Sequence, residues 1–228
     1  MAEYLVFTLA ANLSAMGGPA GHERRGTMTS PGKSALIGLL GAALGLDRAD
    51  TDGFAPLDAL NLAVSRIADG NHLRDYHTVQ TVPTAKVKRP DSRPAALRQA
   101  GLGVNTAITL RDYRCGAVFG VALWGDTNLM RLAAALRTPV FHLYLGRKSC
   151  PLSAPLAPKV IEAESPQAAL KQVILPFWIG MYAGVPRHIE RDAIDDEIGK
   201  IELRQDRAVD RNAWHFGPRR VVVSGGAE

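Results

Sequence analysis

One stretch in the middle of the chain, residues 74–113, restricts the possible folds more than any other. It holds three prolines, and its basic side chains outnumber its acidic ones. A segment so poor in apolar residues cannot bury enough surface to enter a core. We therefore predict that it protrudes from the body of the protein as an arm or a flexible hairpin.

Apolar segments on both sides of this arm predict an α+β core. The order of predicted elements is strand, helix, strand, arm, strand, helix and strand, which fits a ferredoxin-like or RRM-like fold with helices on one face of a sheet. At 228 residues we expect one domain, 1–228, with the arm as an insertion and 157–228 as a divergent C-terminal part. The predicted strands are 4–9, 60–68, 117–124 (central), 141–145 and 220–223, and a helix is predicted at 126–137.

Composition narrows the class of function. The two cysteines, Cys115 and Cys150, and the six histidines do not have the spacing of a metal site. We expect no metal, no cofactor and no disulfide, which fits a reducing cytoplasm. No apolar run approaches the roughly 20 residues of a membrane span. The net charge of +5 permits a polyanionic partner.

The tetrapeptide Pro31-Gly32-Lys33-Ser34 is similar to the end of a nucleotide-binding P-loop, but the rest of that motif is missing. The nearest upstream glycine, Gly26, lies six positions before Gly32, where the motif requires five. The preceding residues are polar, and no apolar run ending in aspartate offers a magnesium ligand. We therefore do not expect ATP to bind here.

A helix start at this tetrapeptide could still hold some other phosphate. We predict Ser30 as the N-cap, Pro31 as the first helical residue and Gly45 as the stop. A helix N-terminus attracts anions through its free N–H groups and partial positive charge. Lys33 and Ser34 would add a cation and a hydroxyl there. The alternative is that Lys33 simply points into solvent.

A second basic turn follows later in the chain. Arg147, Lys148 and Ser149 come directly after a glycine and lie close to Tyr144. Cations beside an aromatic ring suit single-stranded RNA, because its phosphates and splayed bases are bound together. An ordinary surface turn with a half-buried Tyr144 explains the same residues, and chemistry alone leaves both interpretations open.

Three separate motifs, taken together, carry a family resemblance. They are Pro31-Gly-Lys-Ser-Ala-Leu-Ile-Gly-Leu-Leu-Gly-Ala-Ala-Leu-Gly45, Leu73-Arg-Asp-Tyr-His-Thr-Val79 and Tyr144-Leu-Gly-Arg-Lys-Ser-Cys-Pro-Leu152. In this order and at this spacing the chain resembles the CasD family, a subunit family of the type I-E CRISPR Cascade complex. The resemblance covers about residues 4–156, with a weaker match at 214–223.

The resemblance implies a fold, a role and partners. The fold would be an RRM-like core with a β-hairpin thumb, which would be the arm at 74–113. The role would be a non-catalytic, RNA-binding subunit that holds the 5′ handle of the crRNA in antiviral defence. Its neighbours would be the backbone subunit CasC and the large subunit CasA. Target DNA would be met only through the complex, and no membrane is involved.

The resemblance also implies which residues would contact the handle. In the family, the glycine-rich loop and helix start, the base of the thumb and the Leu-Gly-Arg turn hold the RNA. Carried over to this sequence, the contacts would be Arg25, Thr27, Lys33, Ser34, Arg74, Tyr76, His77, Arg111, Tyr113, Tyr144, Arg147, Lys148 and Ser149.

The first loop departs from the family pattern. It has Ala11-Asn12 and Met16-Gly17 where the family usually has Gly-Pro and a tryptophan before glycine. The tetrapeptide at 31–34 also lacks one of the family's two hydroxyls. The family's aromatic stacking or packing role in this loop therefore does not carry over from the resemblance.

Two rival functions remain open at this point. A type I-C relative of the family cuts precursor crRNA without a metal, and His77, Tyr76 and Lys86 could supply the general acid–base groups for such a cut. The other rival is an RRM-like RNA-binding protein outside CRISPR systems.

Overall fold

The computed structural model describes residues 1–17, 21, 23–179, 188–193, 200–213 and 215–225. The strands are β1 Ala2–Ala10, β2 Leu13–Ser14, β3 Arg24–Arg25, β4 Asn61–Ala68, β5 Asn71–Thr81, β6 Asn105–Cys115, β7 Val118–Trp124, β8 Lys159–Ala163, β9 His188–Asp192, β10 Ile201–Asp210 and β11 His215–Ser224. The helices are α1 Lys33–Leu44, α2 Thr51–Asp58, α3 Arg93–Ala100, α4 Leu129–Arg137 and α5 Pro166–Leu170.

A seven-stranded sheet, in the order β10-β11-β9-β4-β7-β1-β8, forms the centre of the molecule. Every neighbouring pair in it is antiparallel. The predicted central strand is confirmed, because β7 lies between β4 and β1. Along the chain, four of these strands and the helices α1 and α4 come in the order β1, α1, β4, β7, α4 and β8.

The core follows from the alternation of side chains along these strands. Leu5, Phe7 and Leu9 of β1 are fully buried on the face that α1 and α4 cover. Their neighbours Tyr4 and Val6 point to the opposite face, where they pack against α5. Both faces of the central strands are therefore apolar, which matches their nearly continuous hydrophobic sequence.

Helix α1 begins two residues later than the sequence predicts. Gly32, not Ser30, is the N-cap, and Lys33 is the first helical residue. The Ser30 hydroxyl donates to Glu190 at 2.9 Å, and the carboxylate of Asp206 accepts the Lys33 backbone N–H at 2.7 Å. A distant carboxylate thus replaces the predicted local cap. The predicted stop is confirmed, since Gly45 is the left-handed C-cap with φ 77°.

One predicted strand and the start of one predicted helix also differ from the structure. The strand predicted at 141–145 is wrong: this segment has only the single bridge Tyr144–Pro151. The strand that pairs with β1 on that side is β8, whose exposed lysine and glutamate hide its pattern. Helix α4 begins at Leu129, because the Asn128 side chain caps it by accepting the Arg131 N–H at 2.9 Å.

The predicted arm is built around β5 and β6. These two eleven-residue strands pair antiparallel from Asn71–Cys115 to Thr81–Asn105. Most side chains of β5 are exposed or half-buried. At the tip, Val87 packs with Ala96 and Ala100 of α3. The arm therefore carries a small apolar cluster of its own.

The described residues also bear on disulfides, membrane spans and metal sites. Cys115 is half-buried and Cys150 buried, and both are free thiols. Among the helices described, none is both long and apolar enough to cross a membrane. No group of His, Cys, Asp or Glu in the described part of the chain could hold a metal ion.

Candidate nucleic-acid interface

Strand β6 gathers three distant parts of the chain at the base of the hairpin. Strand β3 runs parallel to it, with Arg24 opposite Leu110 and Arg25 opposite Arg111. Strand β2 pairs with the C-terminal end of β6, and β5 pairs with its whole length. The basic loop before α1 is therefore fixed against the hairpin base by backbone hydrogen bonds.

Two similar tripeptides of the sequence face each other across this hairpin. Arg74-Asp75-Tyr76 lies on β5, and Arg111-Asp112-Tyr113 lies on β6. The register places Arg74 opposite Asp112 and Asp75 opposite Arg111. Because directly opposed residues of an antiparallel pair share a face, each aspartate has an arginine beside it.

The side chains of the predicted site divide between the two faces of the hairpin. Arg74 and Tyr76 share a face with Asp112, whereas His77, Arg111 and Tyr113 belong to the other face. The sequence predicts that these residues contact RNA together. The structure places these five at the base of one hairpin, but on two different faces.

On the first face, Asp112 is the centre of a basic cluster. Arg24 donates to its Oδ2 from Nε at 3.1 Å and from Nη2 at 2.9 Å. Arg74 donates to Oδ1 from Nε at 2.8 Å and to Oδ2 from Nη2 at 3.3 Å. His72 Nε2 lies 3.4 Å from Oδ1. We call Arg24, His72, Arg74 and Asp112 the Asp112 cluster.

The cluster holds its acid beneath its cations. The Asp112 side chain is 2% exposed, whereas those of Arg24 and Arg74 are 60% and 42% exposed. Hydrogen bonds from Arg74 and then Arg24 hold the pKa of the Asp112 carboxyl well below its usual range. Two guanidinium groups against one carboxylate leave a net positive, solvent-facing surface.

On the other face, Arg147 covers Tyr113. Its Cζ lies 4.6 Å from the centre of the Tyr113 ring, and its Nη2 donates to the Arg25 carbonyl oxygen at 3.3 Å. Arg147 Nη1 and Arg111 Nε are buried and have no hydrogen-bond partner among the described residues. We call Arg25, Arg111, Tyr113 and Arg147 the Tyr113 cluster.

The turn that carries Arg147 is closed by backbone hydrogen bonds. Leu145 N–H donates to the Cys150 carbonyl at 2.8 Å, and Ala15 N–H donates to the Leu145 carbonyl at 3.0 Å. Gly146 has φ 86°, and a side chain there would overlap the Ala15 carbonyl. Tight docking on the first loop thus explains the glycine. The side chains of Tyr144, Lys148 and Ser149 remain exposed.

Lys33 lies in a different environment from the other predicted contacts. Its side chain is 10% exposed, and its Nζ lies 4.0 Å from Asp192 Oδ2. Burial lowers the pKa of the Lys33 ammonium, although Asp192 acts in the opposite direction. Its RNA contact stays a prediction, and this burial argues against it. Ser34 is half-buried one residue further along.

The environment of Lys33 is a buried ionic network between α1 and the C-terminal strands. Arg219 donates to both oxygens of Asp206 at 2.7 Å and to Asp192 Oδ1 at 2.6 Å. Asp192 Oδ2 also accepts the Leu62 N–H at 2.9 Å. We call Lys33, Asp192, Asp206 and Arg219 the buried network. Its Asp206 occupies the helix N-terminus where the sequence predicts a phosphate.

The remaining predicted contacts are more isolated. Tyr76 is 63% exposed, and His77 Nδ1 lies 3.9 Å from Asp75 Oδ2. Thr27 is half-buried and donates to the Met28 carbonyl at 3.3 Å. Sequence reasoning missed Asp112 as an organising residue, although its place in the repeated tripeptide was a usable signal.

Known proteins that are similar to this chain come from CRISPR systems. The family model described as CRISPR-associated protein (Cas_Cas5) matches residues 4–222. The chain belongs to the Cas5 family. Within it, the chain is 37% identical over 184 residues to the CRISPR system Cascade subunit CasD of Escherichia coli (strain K12), covering 75% of this chain and 76% of that protein. This identity places it on the CasD branch, as its motifs predict.

Solved structures agree with the family assignment. A chain of a structure titled CRISPR RNA-guided surveillance complex superposes with a TM-score of 0.67 at 26% identity, covering 97% of this chain and 89% of that one. A crystal structure of a Cas protein gives a TM-score of 0.60 at 26% identity, covering 97% and 93% of the two chains. The mixed α/β fold with mostly antiparallel sheets is therefore shared with these CRISPR proteins.

Proposed function

We propose that the chain is the subunit of a type I-E CRISPR Cascade complex that binds the 5′ handle of the crRNA and does not cut it. Its relative from Escherichia coli is a Cascade subunit by name, and a similar chain belongs to an RNA-guided surveillance complex. These similarities support membership in the Cascade complex, and the chemistry of the hairpin base supports RNA as the ligand.

The observation that carries this proposal is the convergence of arginines and aromatic rings at the hairpin base. In the Tyr113 cluster, Arg147 lies over the Tyr113 ring and donates to the Arg25 carbonyl oxygen, and the Arg25 side chain itself is exposed. Phosphate oxygens are the acceptors that guanidinium groups match best. Tyr144 is exposed on the same turn as Arg147 and offers a ring on which a base can stack.

The strand order supports an RRM-like core. In the central sheet, β4-β7-β1-β8 are neighbours, and α1 and α4 connect them on one face. This order supports the β-α-β-β-α-β arrangement of a ferredoxin-like domain. The β5–β6 hairpin is inserted between β4 and β7 and would be the thumb of the family.

The exposed hairpin gives the chain a surface for its neighbours in the complex. Leu102 at the tip and Ile108 on β6 are exposed apolar residues. We infer that the thumb contacts the adjacent CasC subunit and that CasA lies beside the handle. Target DNA would be reached only through the assembled complex.

The geometry favours binding over cleavage. Tyr76 and His77 are adjacent on β5, so their side chains point to opposite faces of the hairpin. Lys86 lies beyond the ends of both strands, near Gly103 at the tip. Because these three groups lie on different faces or at the tip, the hairpin does not present them together as an acid–base set, which favours binding.

The test is to incubate the purified chain with a labelled RNA of the CRISPR repeat and to run binding and denaturing gels from the same tubes. We expect a complex that contains intact RNA. A discrete metal-independent cut at the handle boundary would make the chain the processing nuclease. Equal binding of an unrelated RNA of the same length would instead support a general RNA-binding protein.

A further inference from the structure

The Asp112 cluster has a geometry that an ordinary surface salt bridge does not need. Arg24 and Arg74 approach one carboxylate from two different strands, β3 and β5, and each uses its Nε and Nη2 edge. This leaves the Nη1 end of each guanidinium directed away from Asp112. The two free ends belong to side chains that are about half exposed.

Asp112 fixes the positions of Arg24 and Arg74 without neutralising both of their charges. Asp112 is almost completely buried, and its lowered pKa keeps it ionised. Together, the two arginines and the aspartate carry a net charge of +1. An arginine held at one edge loses less rotamer entropy when its other edge binds a ligand.

The neighbouring side chain indicates which anion fits. Tyr76 lies on the same face of the hairpin as Arg74, opposite Leu110, and Leu110 in turn is the pairing partner of Arg24. Its ring is 63% exposed. A phosphate group next to a ring that can stack on a base is the pattern of single-stranded RNA recognition, and an acidic protein segment would leave this ring unused.

We propose that Arg24 and Arg74, braced on Asp112, form a clamp for one phosphodiester group of the bound RNA, with the adjacent base on Tyr76. Asp112 is the positioning residue of this clamp. The proposal rests on RNA binding by the chain and adds Arg24 and Asp112 to the site. It also assigns a second RNA-binding surface, on the face of the hairpin opposite to the Tyr113 cluster.

The decisive variant is Asp112→Asn, because two explanations predict opposite signs. If Asp112 only neutralised surface arginines, its removal would add a net positive charge and tighten RNA binding. If it positions the clamp, binding weakens although the protein becomes more basic. We expect the affinity for a labelled 5′-handle RNA, measured by fluorescence anisotropy, to fall about tenfold, the usual size of one lost charge-assisted contact.

Arg24→Ala tests the clamp from the side of the cation. We expect an affinity loss of about tenfold and a log–log salt slope shallower by ~0.7, which corresponds to one phosphate on a single strand. Arg131→Ala removes the same charge from an exposed position on α4 and serves as the matched control. Arg24→Lys keeps the charge but lacks the planar guanidinium, which can bind Asp112 with one edge and a phosphate with the other, so it should rescue little.

The outcomes separate this proposal from the proposed function. If the wild type fails to bind the handle, the function itself is wrong. If the wild type binds and Asp112→Asn binds equally or more tightly, only the clamp is wrong. If Asp112→Asn does not fold, a cycle with Arg24→Ala, Arg74→Ala and their double variant decides: a shared phosphate predicts less than additive losses, and full additivity overturns the clamp.

Discussion

Asp112 and Asp206 are both held by arginine, yet they belong to opposite kinds of site. Asp206 is held by Arg219, whose side chain is 8% exposed, and it also caps α1. Asp112 is held by Arg24, whose side chain is 60% exposed. In both clusters the acid is buried; what differs is whether the cation is buried with it.

This difference determines what each cluster can do. A buried arginine whose charge is paired with buried carboxylates can only stabilise the protein. Removing one of those carboxylates is strongly destabilising. An arginine with one edge braced and the other in solvent is available for a ligand. We therefore propose that exposure of the cation, rather than the presence of basic residues, distinguishes the proposed RNA-binding surface from the structural network.

The largest effect is expected when the buried network loses an acid. Asp206→Asn can still cap α1 but leaves Arg219 buried with one carboxylate fewer. We expect the free energy of unfolding to fall by about 3–5 kcal/mol, measured by urea denaturation. Asp126→Asn, at an exposed position, is the control and should change stability very little. A loss below about 1 kcal/mol for Asp206→Asn would contradict a structural role.

The next effect concerns the Tyr113 cluster. Arg147→Ala removes a half-buried guanidinium that stacks on Tyr113. We expect handle affinity to fall about tenfold with the thermal midpoint little changed. Arg147→Lys keeps the charge but loses the planar contact, so it should recover only part of the loss. Normal handle affinity and normal Cascade assembly at ordinary salt would remove Arg147 from the site.

A smaller effect distinguishes two lysines that the sequence places in the same site. Lys33 is buried and Lys148 is exposed. We expect Lys148→Ala to make the salt slope of RNA binding shallower by ~0.7, whereas Lys33→Ala changes protein stability and leaves the slope as it is. A shallower slope for Lys33→Ala would show that its side chain reaches RNA after all.

The smallest effect is expected from pH near neutrality. Burial acts to raise the pKa of Asp206, but the hydrogen bonds and charge of Arg219, the Lys33 backbone N–H and the charge of Arg204 together lower it. A carboxyl with a lowered folded pKa stabilises the fold above its unfolded pKa, about 3.9, and this contribution is lost as pH falls through the folded pKa. The stability gap between the wild type and Asp206→Asn should thus be constant from pH 7 to 5 and shrink below about pH 4. A gap that already closes by pH 5 would assign the stabilisation to another group.

Sequence reasoning located the features that local patterns encode. The alternating and apolar runs of β1, β4 and β7, the spacing of leucines in α1 and the stop at Gly45 depend on near neighbours. The motifs also identified the family correctly. In these parts, the residues that determine the local structure lie close together in the sequence.

The missed features all depend on distant parts of the chain. Ser30 has every property of an N-cap, but Asp206 takes that place from 173 residues away from Lys33. The burial of Lys33 follows from the same contact, so no local pattern could show it. The repeated tripeptide marks Asp112 in the sequence, but its partner Arg24 is brought beside β6 only by strand pairing.

The most direct test of the comparison is to crosslink bound handle RNA containing 4-thiouridine to the chain and to identify the attached peptides by mass spectrometry. We expect crosslinks in residues 24–27, in the hairpin base around Tyr76 and Tyr113, and in the turn at 144–149. Crosslinks confined to residues 30–34 and to β10 and β11 would contradict the account, because they would place the RNA on the buried network.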